Sequence, residues 1–249
     1  MEAIVPKTSS ALNALLRADF ITQWRNRRSS VLILLVPVLI LISWKGIIDK
    51  VGGAFVLSSC ITLGLIAIGL MGYSNAIARD RDKGVFQRLR ATPVPAWSIM
   101  ISRLIVQLMM IVLLTAVVFV AGYYFDGVTI SVLGYTLGFI AAIAGGALYL
   151  GLGQLIVGLL KNAETVSSTT RLVYFIFIMV GMLGEFGIFG EELKTIVQWS
   201  PYGTVKNILS ASMEPSTWNN KTFMALLLTI LYAAVFSFLG IRKFKWNSK

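Results

Sequence analysis

Apolar residues run almost unbroken through six stretches, 29–48, 54–77, 99–125, 130–160, 172–190 and 222–241, and polar residues collect between them. Most of these stretches reach or exceed the roughly 18 apolar residues that read as a membrane-spanning helix. The pattern predicts an all-α, polytopic membrane protein of six transmembrane helices. The first stretch is the weakest: its unbroken core, Val31 to Trp44, is short, and Trp44 and Lys45 mark an interface. The fourth is too long for one straight crossing at about 1.5 Å per residue. It is expected to tilt, to protrude, or to break near Gly145 and Gly146.

The intervening segments carry patterns of their own. Leu12, Leu16, Phe20 and Trp24 recur every four residues with Leu15 beside them, while Arg17, Asp19, Gln23 and Arg25 take other faces. Residues 8–28 therefore predict an amphipathic helix lying in the headgroup region. Arg25, Arg27 and Arg28 would meet anionic lipid there, each contributing about 1 kcal/mol. Between the second and third spans lies "ARDRDKGVFQRLRATPVPAWSIM", with seven ionisable side chains between Arg79 and Arg90. Holding them in hydrocarbon would cost on the order of 17–25 kcal/mol, so residues 78–98 form a water-exposed loop. Asp80 and Asp82 suit the start of a helix and Arg88 and Arg90 its end. Val85, Phe86 and Leu89 give that helix an apolar face. Thr92-Pro93 stops it and Pro95 constrains the exit to the third span. Residues 191–221, and the span end before them from Glu185, are too apolar for an open loop and too short for a pair of spans. They predict short external re-entrant helices before the sixth span.

Composition agrees with this class. The 249 residues are 57% hydrophobic and 13% charged, about half the charge of a typical soluble domain. The net charge of +11 follows topology and gives no sign of nucleic-acid binding. Segments 1–28, 78–103, 161–171 and 242–249 hold seventeen Lys and Arg, against five in the alternate set. The positive-inside bias makes the first set, with both termini, cytoplasmic. The first ten residues lack the pattern of a cleavable signal peptide. The lone Cys60 lies in an apolar run and permits no intrachain disulfide. With no histidine, no Ser-His-Asp triad or His-liganded metal exists. No carboxylate or cysteine cluster has metal-ligand spacing, and no G-x-x-x-x-G-K-[ST] is present. The chain is therefore read as no enzyme, with no cofactor of its own. Few charges lie deep in any span; Glu185, near a span end, reads as an interfacial residue. No internal repeat is visible. One six-span unit is too small to enclose a large pathway, which points to dimerisation.

The order Asp80, Arg81, Asp82, Lys83, Gly84, Val85, Phe86, Gln87, Arg88, Leu89, followed by Thr92, Pro93 and Val94, resembles the cytoplasmic loop of the type-two ABC exporter permeases. Val85 and Gln87 depart from that family's commoner Thr and Glu. The likeness extends over the whole chain, 1–249, as one permease domain, and "WSPYGTVKNIL", Trp199 to Leu209, is similar to the family's segment after the fifth span. The resemblance implies that this loop is an ATPase-coupling element. It implies two separate ATP-binding subunits that carry ATP and Mg, and a second permease in a homodimer or heterodimer. It further implies export of an amphipathic small molecule, antibiotic or lipid-linked substrate. In such permeases the first, second and fifth spans form the dimer seam and route. The candidate positions are Ser58, Ser59 and Thr62 in the second span and Phe175, Phe177, Met179, Gly181, Met182 and Gly184 in the fifth. Gly181, Gly184, Gly187 and Gly190 recur every three residues, and Gly134 and Gly138 form a small-residue pair for helix packing. Two other classes stay open on sequence alone: a non-transporting membrane scaffold and a gradient-driven carrier.

Overall fold

The computed structural model describes residues 8–25, 27–90, 96–188 and 190–244. Every regular element among them is helical. Five helices are long and apolar enough to cross a membrane: Gly53–Asp82, Ser98–Asp126, Val132–Leu159, Ala163–Glu185 and Asn220–Lys243. The sixth crossing is a bent pair, Val31–Ser43 and Lys45–Val51, which meet at 70°. The expected first span over 29–48, the weakest of the six, is thus this bent pair, with its break inside the expected range. Its first arm has only 13 residues, about 20 Å of helix, and is too short to cross alone. The break falls at Trp44, whose ring packs edge-on against Phe186 at 5.9 Å.

The second span is the core of the bundle, and its most apolar window is almost wholly buried. The fourth span packs on it and the sixth packs on the fourth. Gly69 and Gly153 make the first of these contacts possible. A Cβ at Gly69 would lie 2.5 Å from the Tyr149 backbone, and one at Gly153 would lie 2.4 Å from the Gly69 carbonyl. Only glycine on both helices permits so close a crossing. The fourth span runs unbroken from Val132 to Leu159, which rules out a break at Gly145 and Gly146 among the three expected alternatives and leaves tilt or protrusion. Those glycines instead seat Val205 and Ile111, whose side-chain atoms would lie within 2.5 Å of an added Cβ. Gly134 and Gly138 do the same for Met213 and Phe119.

Two spans change their winding. Residues Ala67–Ser74 of the second and Phe177–Met182 of the fifth are π-helical, with i→i+5 geometry inside otherwise α-helical rods. The Ser74 hydroxyl donates to the Gly69 carbonyl five residues back, matching the wider turn.

After the fifth span come two short helices, Glu191–Trp199 and Pro201–Met213. The second begins with Ser200 accepting from the Gly203 amide and with Pro201 in the first turn, a favoured helix start. Most of its residues are buried against the second, fourth and sixth spans. It is thus a re-entrant element inside the bundle, deeper than helices resting among headgroups.

The amphipathic helix covers Thr8–Arg25 and lies along the third span. Leu12, Leu15 and Leu16 turn partly inward, while Phe20 and Trp24 stay exposed and stacked 6.4 Å apart. Arg25 is exposed at its end.

Candidate functional site

The charged stretch is divided differently from its expected helix. Asp80 and Asp82 do not open the loop helix; they close the second span, whose last α-helical segment is Asn75–Asp82. The chain then turns at Gly84, with φ of +66°, where Gly84 N–H donates to the Arg81 carbonyl and Lys83 N–H to the Arg79 carbonyl. Glycine suits this left-handed helix end. The loop helix is Val85–Arg90. The apolar run of the second span simply continues as helix into the charged residues, which overrides the preference of acids for N-termini. Pro93 and Pro95, and the rigid exit expected of them, lie outside the described residues.

Each charged side chain at this end reaches a different span. Arg81 is 1% exposed. Its guanidinium donates to the carbonyls of Val157 at 2.8 Å and of Leu160 and Lys161 at 2.7 Å each. A planar cation thereby caps the C-terminus of the fourth span, where orphan carbonyls and the helix dipole both favour it. The Asp82 carboxylate accepts from the Ala163 amide at 3.1 Å, at the start of the fifth span. Asp80 pairs with Arg103 of the third span at 2.6 Å. Arg103 also meets Asp19 of the amphipathic helix at 3.2 Å, and Ser102 donates to the same carboxylate. Burial pushes the Asp19 carboxyl above its ordinary range, opposed by Arg103 and Ser102. One turn of chain thus ties the second span to the third, fourth and fifth spans and to the surface helix.

The loop helix has an inside and an outside. Phe86 is fully buried and packs edge-on against Phe244, 6.1 Å away, and Leu89 is partly buried on the core. Asp82, Lys83, Gln87 and Arg88 are exposed, with Val85 and Gly84 between the two faces. Arg88 also donates to the Lys83 carbonyl at 3.1 Å. The apolar residues expected to form an outward docking face are therefore turned into the protein.

The candidate route residues lie mostly inside this one chain. Ser58, Ser59 and Thr62 are buried, and their hydroxyls donate to carbonyls of their own helix, at Phe55 for both serines and Ser58 for the threonine. Gly181 and Gly184 seat Tyr202 and Val197 of the re-entrant segment, so they serve contact within the chain. Gly187 and Gly190, at φ of +71° and +94°, end the fifth span and lead into the next helix. Phe177 meets the Tyr149 ring at 6.0 Å, and Met179 and Met182 are half-buried. Phe175 is exposed, as are Leu172 and Ile176 on the same stretch.

Sequence reasoning passed over one group here. Lys206, 4% exposed on the re-entrant helix, donates to Glu185, and its ammonium lies 3.1 Å from the centroid of the Phe55 ring. Glu185 is thus half of a buried ion pair rather than a free interfacial carboxylate. The signal was available, since a lone lysine in the run "YGTVKNIL" must find a partner. The pair borders a cleft of about 240 Å³ that also touches Lys194, Gln198 and Asn207. Burial lowers the Lys206 ammonium to about 8, with Glu185 opposing the shift. Between that value and the ordinary lysine range the unfolded chain holds the extra proton, so this group's contribution to stability rises with pH across the interval. Thermal unfolding from pH 8 to 10 should show the wild type gaining stability relative to Lys206→Met. A difference that is flat with pH would contradict it.

The described residues thus form a helical bundle whose charged turn is tied to three further spans. Residues 10–202 match the family described as ABC-2 type transporter, and the chain belongs to that family. It is similar to the "Putative transport permease YvfS" of Bacillus subtilis (strain 168), with 25% identity over 191 residues, 75% of each chain. The chain is a permease subunit and a multi-pass membrane protein, not an enzyme, and it works with ABC ATPase subunits. It binds no cofactor itself. The scaffold and the gradient-driven carrier are set aside by this membership.

Proposed function

We propose that this permease exports an amphipathic small molecule, antibiotic or lipid-linked substrate, working as a dimer on two ATP-binding subunits. The loop-helix end faces the cytoplasm in this reading, as the excess of Lys and Arg at that end favours. The carrying observation is the Asp80–Arg88 turn. Its outer face offers Lys83, Gln87 and Arg88 to a partner, while Asp80, Arg81 and Asp82 grip three other spans. A push on the exposed face is delivered to the third, fourth and fifth spans together. The second permease would pair through the exposed sides of the first and fifth spans, Leu35, Leu39 and Ile42 on one and Leu172, Phe175 and Ile176 on the other.

The test reverses the outer face. Lys83→Glu with Arg88→Glu should reduce recovery of the ATPase on the purified permease at least tenfold, with permease yield unchanged. Transport of a toxic amphipath should fall with it. Undiminished complex and undiminished transport would rule the coupling role out. Phe86→Asp is the contrasting variant. It should disturb the packing of the loop on Phe244 and lower permease yield itself.

A further inference from the structure

A second cavity lies on the side of the bundle away from the first and fifth spans. It has a volume of about 480 Å³, within the range of sites that hold one small or chain-like ligand. The third and sixth spans both pack on the fourth but scarcely touch each other, and this leaves an intramembrane cleft between them. Leu104 and Leu108 form one wall, Ile241 and Phe244 the other, and Ala147 and Gly151 the floor.

Polar groups gather at one end of this apolar slot. Gln154, 7% exposed, lines it and accepts from the Tyr73 hydroxyl at 2.8 Å. Its amide nitrogen has no hydrogen-bond partner among the described residues, and neither has the Ser237 hydroxyl beside it. Two donors therefore border an otherwise apolar space. A donor that faces an apolar space gains from an acceptor, and a carbonyl oxygen would supply one. Gln154 and Ser237 stand about 7–9 Å, in helix rise, inside the ends of their spans. That depth matches the ester region just below the headgroups. Arg242 and Lys243, exposed in the last turn of the sixth span, sit in sequence between the lining residues Ile241 and Phe244. They supply positive charge in the helical turn next to the lining residue Ile241.

We infer that this cleft holds one acyl chain of an anionic bilayer phospholipid, its ester carbonyl on Gln154 and Ser237 and its phosphate on Arg242 and Lys243. The site is separate from the seam proposed for the second permease. Its end wall, Phe244, touches Phe86 of the loop helix, so a bound chain braces that helix from within.

The experiment uses the full-length protein in nanodiscs containing a phosphatidylglycerol with a photoactivatable group midway along one acyl chain. Covalent labelling should concentrate in residues 100–108 and 237–244. Leu104→Trp, which fills the cleft from an already exposed position, should reduce it at least fivefold. Arg242→Gln with Lys243→Gln should reduce it for phosphatidylglycerol more than for a zwitterionic analogue. Amide exchange in residues 85–90 should slow in discs containing phosphatidylglycerol relative to detergent, and less so in Leu104→Trp. Labelling spread evenly around the lipid-facing surface, or unchanged by Leu104→Trp, overturns the site. Loss of labelling on crosslinked dimers assigns the cleft to a second copy and equally overturns it. Absence of slowed exchange overturns the bracing of the loop helix.

Discussion

Replacing Arg81 with Met is expected to be among the most damaging single changes in the chain. The guanidinium makes three short bonds to the end of the fourth span from a position that is 1% exposed. Hydrogen bonds from charged donors contribute about 1.5–3 kcal/mol each, and a buried carbonyl left without a donor costs about 1–3 kcal/mol. These values do not add, because the three carbonyls share one cation and lie near a helix end where water can reach some of them. A loss of about 3–5 kcal/mol is the expected outcome, read as earlier thermal unfolding and faster amide exchange over residues 157–163. Arg81→Lys keeps the charge but cannot fork across three carbonyls, so it should recover only part of the loss. Full recovery by Lys would show that charge alone matters there. An unperturbed Met variant would show that the turn is held by Asp82 and packing instead.

The second large effect lies at the opposite end of the bundle. Glu185→Gln leaves the Lys206 ammonium inside the protein without a counter-charge, with a neutral amide oxygen and the Phe55 ring beside it. Breaking one side of a buried pair costs about 3–5 kcal/mol, and a desolvated cation–π contact returns about 2 kcal/mol at most. Lys206→Met strands a carboxylate whose side chain is 25% exposed, against 5% for the lysine. Water can reach it, so this variant should suffer less than Glu185→Gln. The double replacement should be more stable than the sum of the two singles predicts, with a coupling of about 2 kcal/mol or more in unfolding. Additivity of the two changes, or the opposite order of the single variants, would mean the ion pair contributes little. Because the pair joins the end of the fifth span to the re-entrant helix, the variants should also loosen residues 191–213 in exchange measurements.

Much of the architecture was legible in the pattern of apolar runs, because a bilayer admits few ways to satisfy backbone groups. Four of the six spans appear close to where the pattern placed them, whereas the fifth, expected over 172–190, runs from Ala163 to Glu185 because the polar turns of its start continue as helix. The first span was legible as the weakest, with Trp44 at its edge, but hydropathy carries no signal of the 70° bend found there. The loop was located correctly but cut at the wrong residue. Gly84 was the real boundary, and its left-handed turn outweighed the charge preference that seemed to favour Asp80. Asp19 was assigned to the polar face, yet it follows Leu12, Leu15 and Leu16 at helical spacing and faces Arg103 with them. Contacts such as Arg81 with Val157 or Glu185 with Lys206 join residues far apart in the chain. A single sequence can show that a lone Lys206 needs a partner, but not which residue supplies it.

The two widened stretches, Ala67–Ser74 and Phe177–Met182, lie in neighbouring rods. Each lodges a surplus residue that an α-helix of the same length would not hold. If such a surplus migrates along the rod, the residues it passes shift by about 1.5 Å and turn by about 100°. No end of the rod has to leave its anchor for this to happen. Two anchored rods so equipped can change the faces they show each other while staying the same length overall.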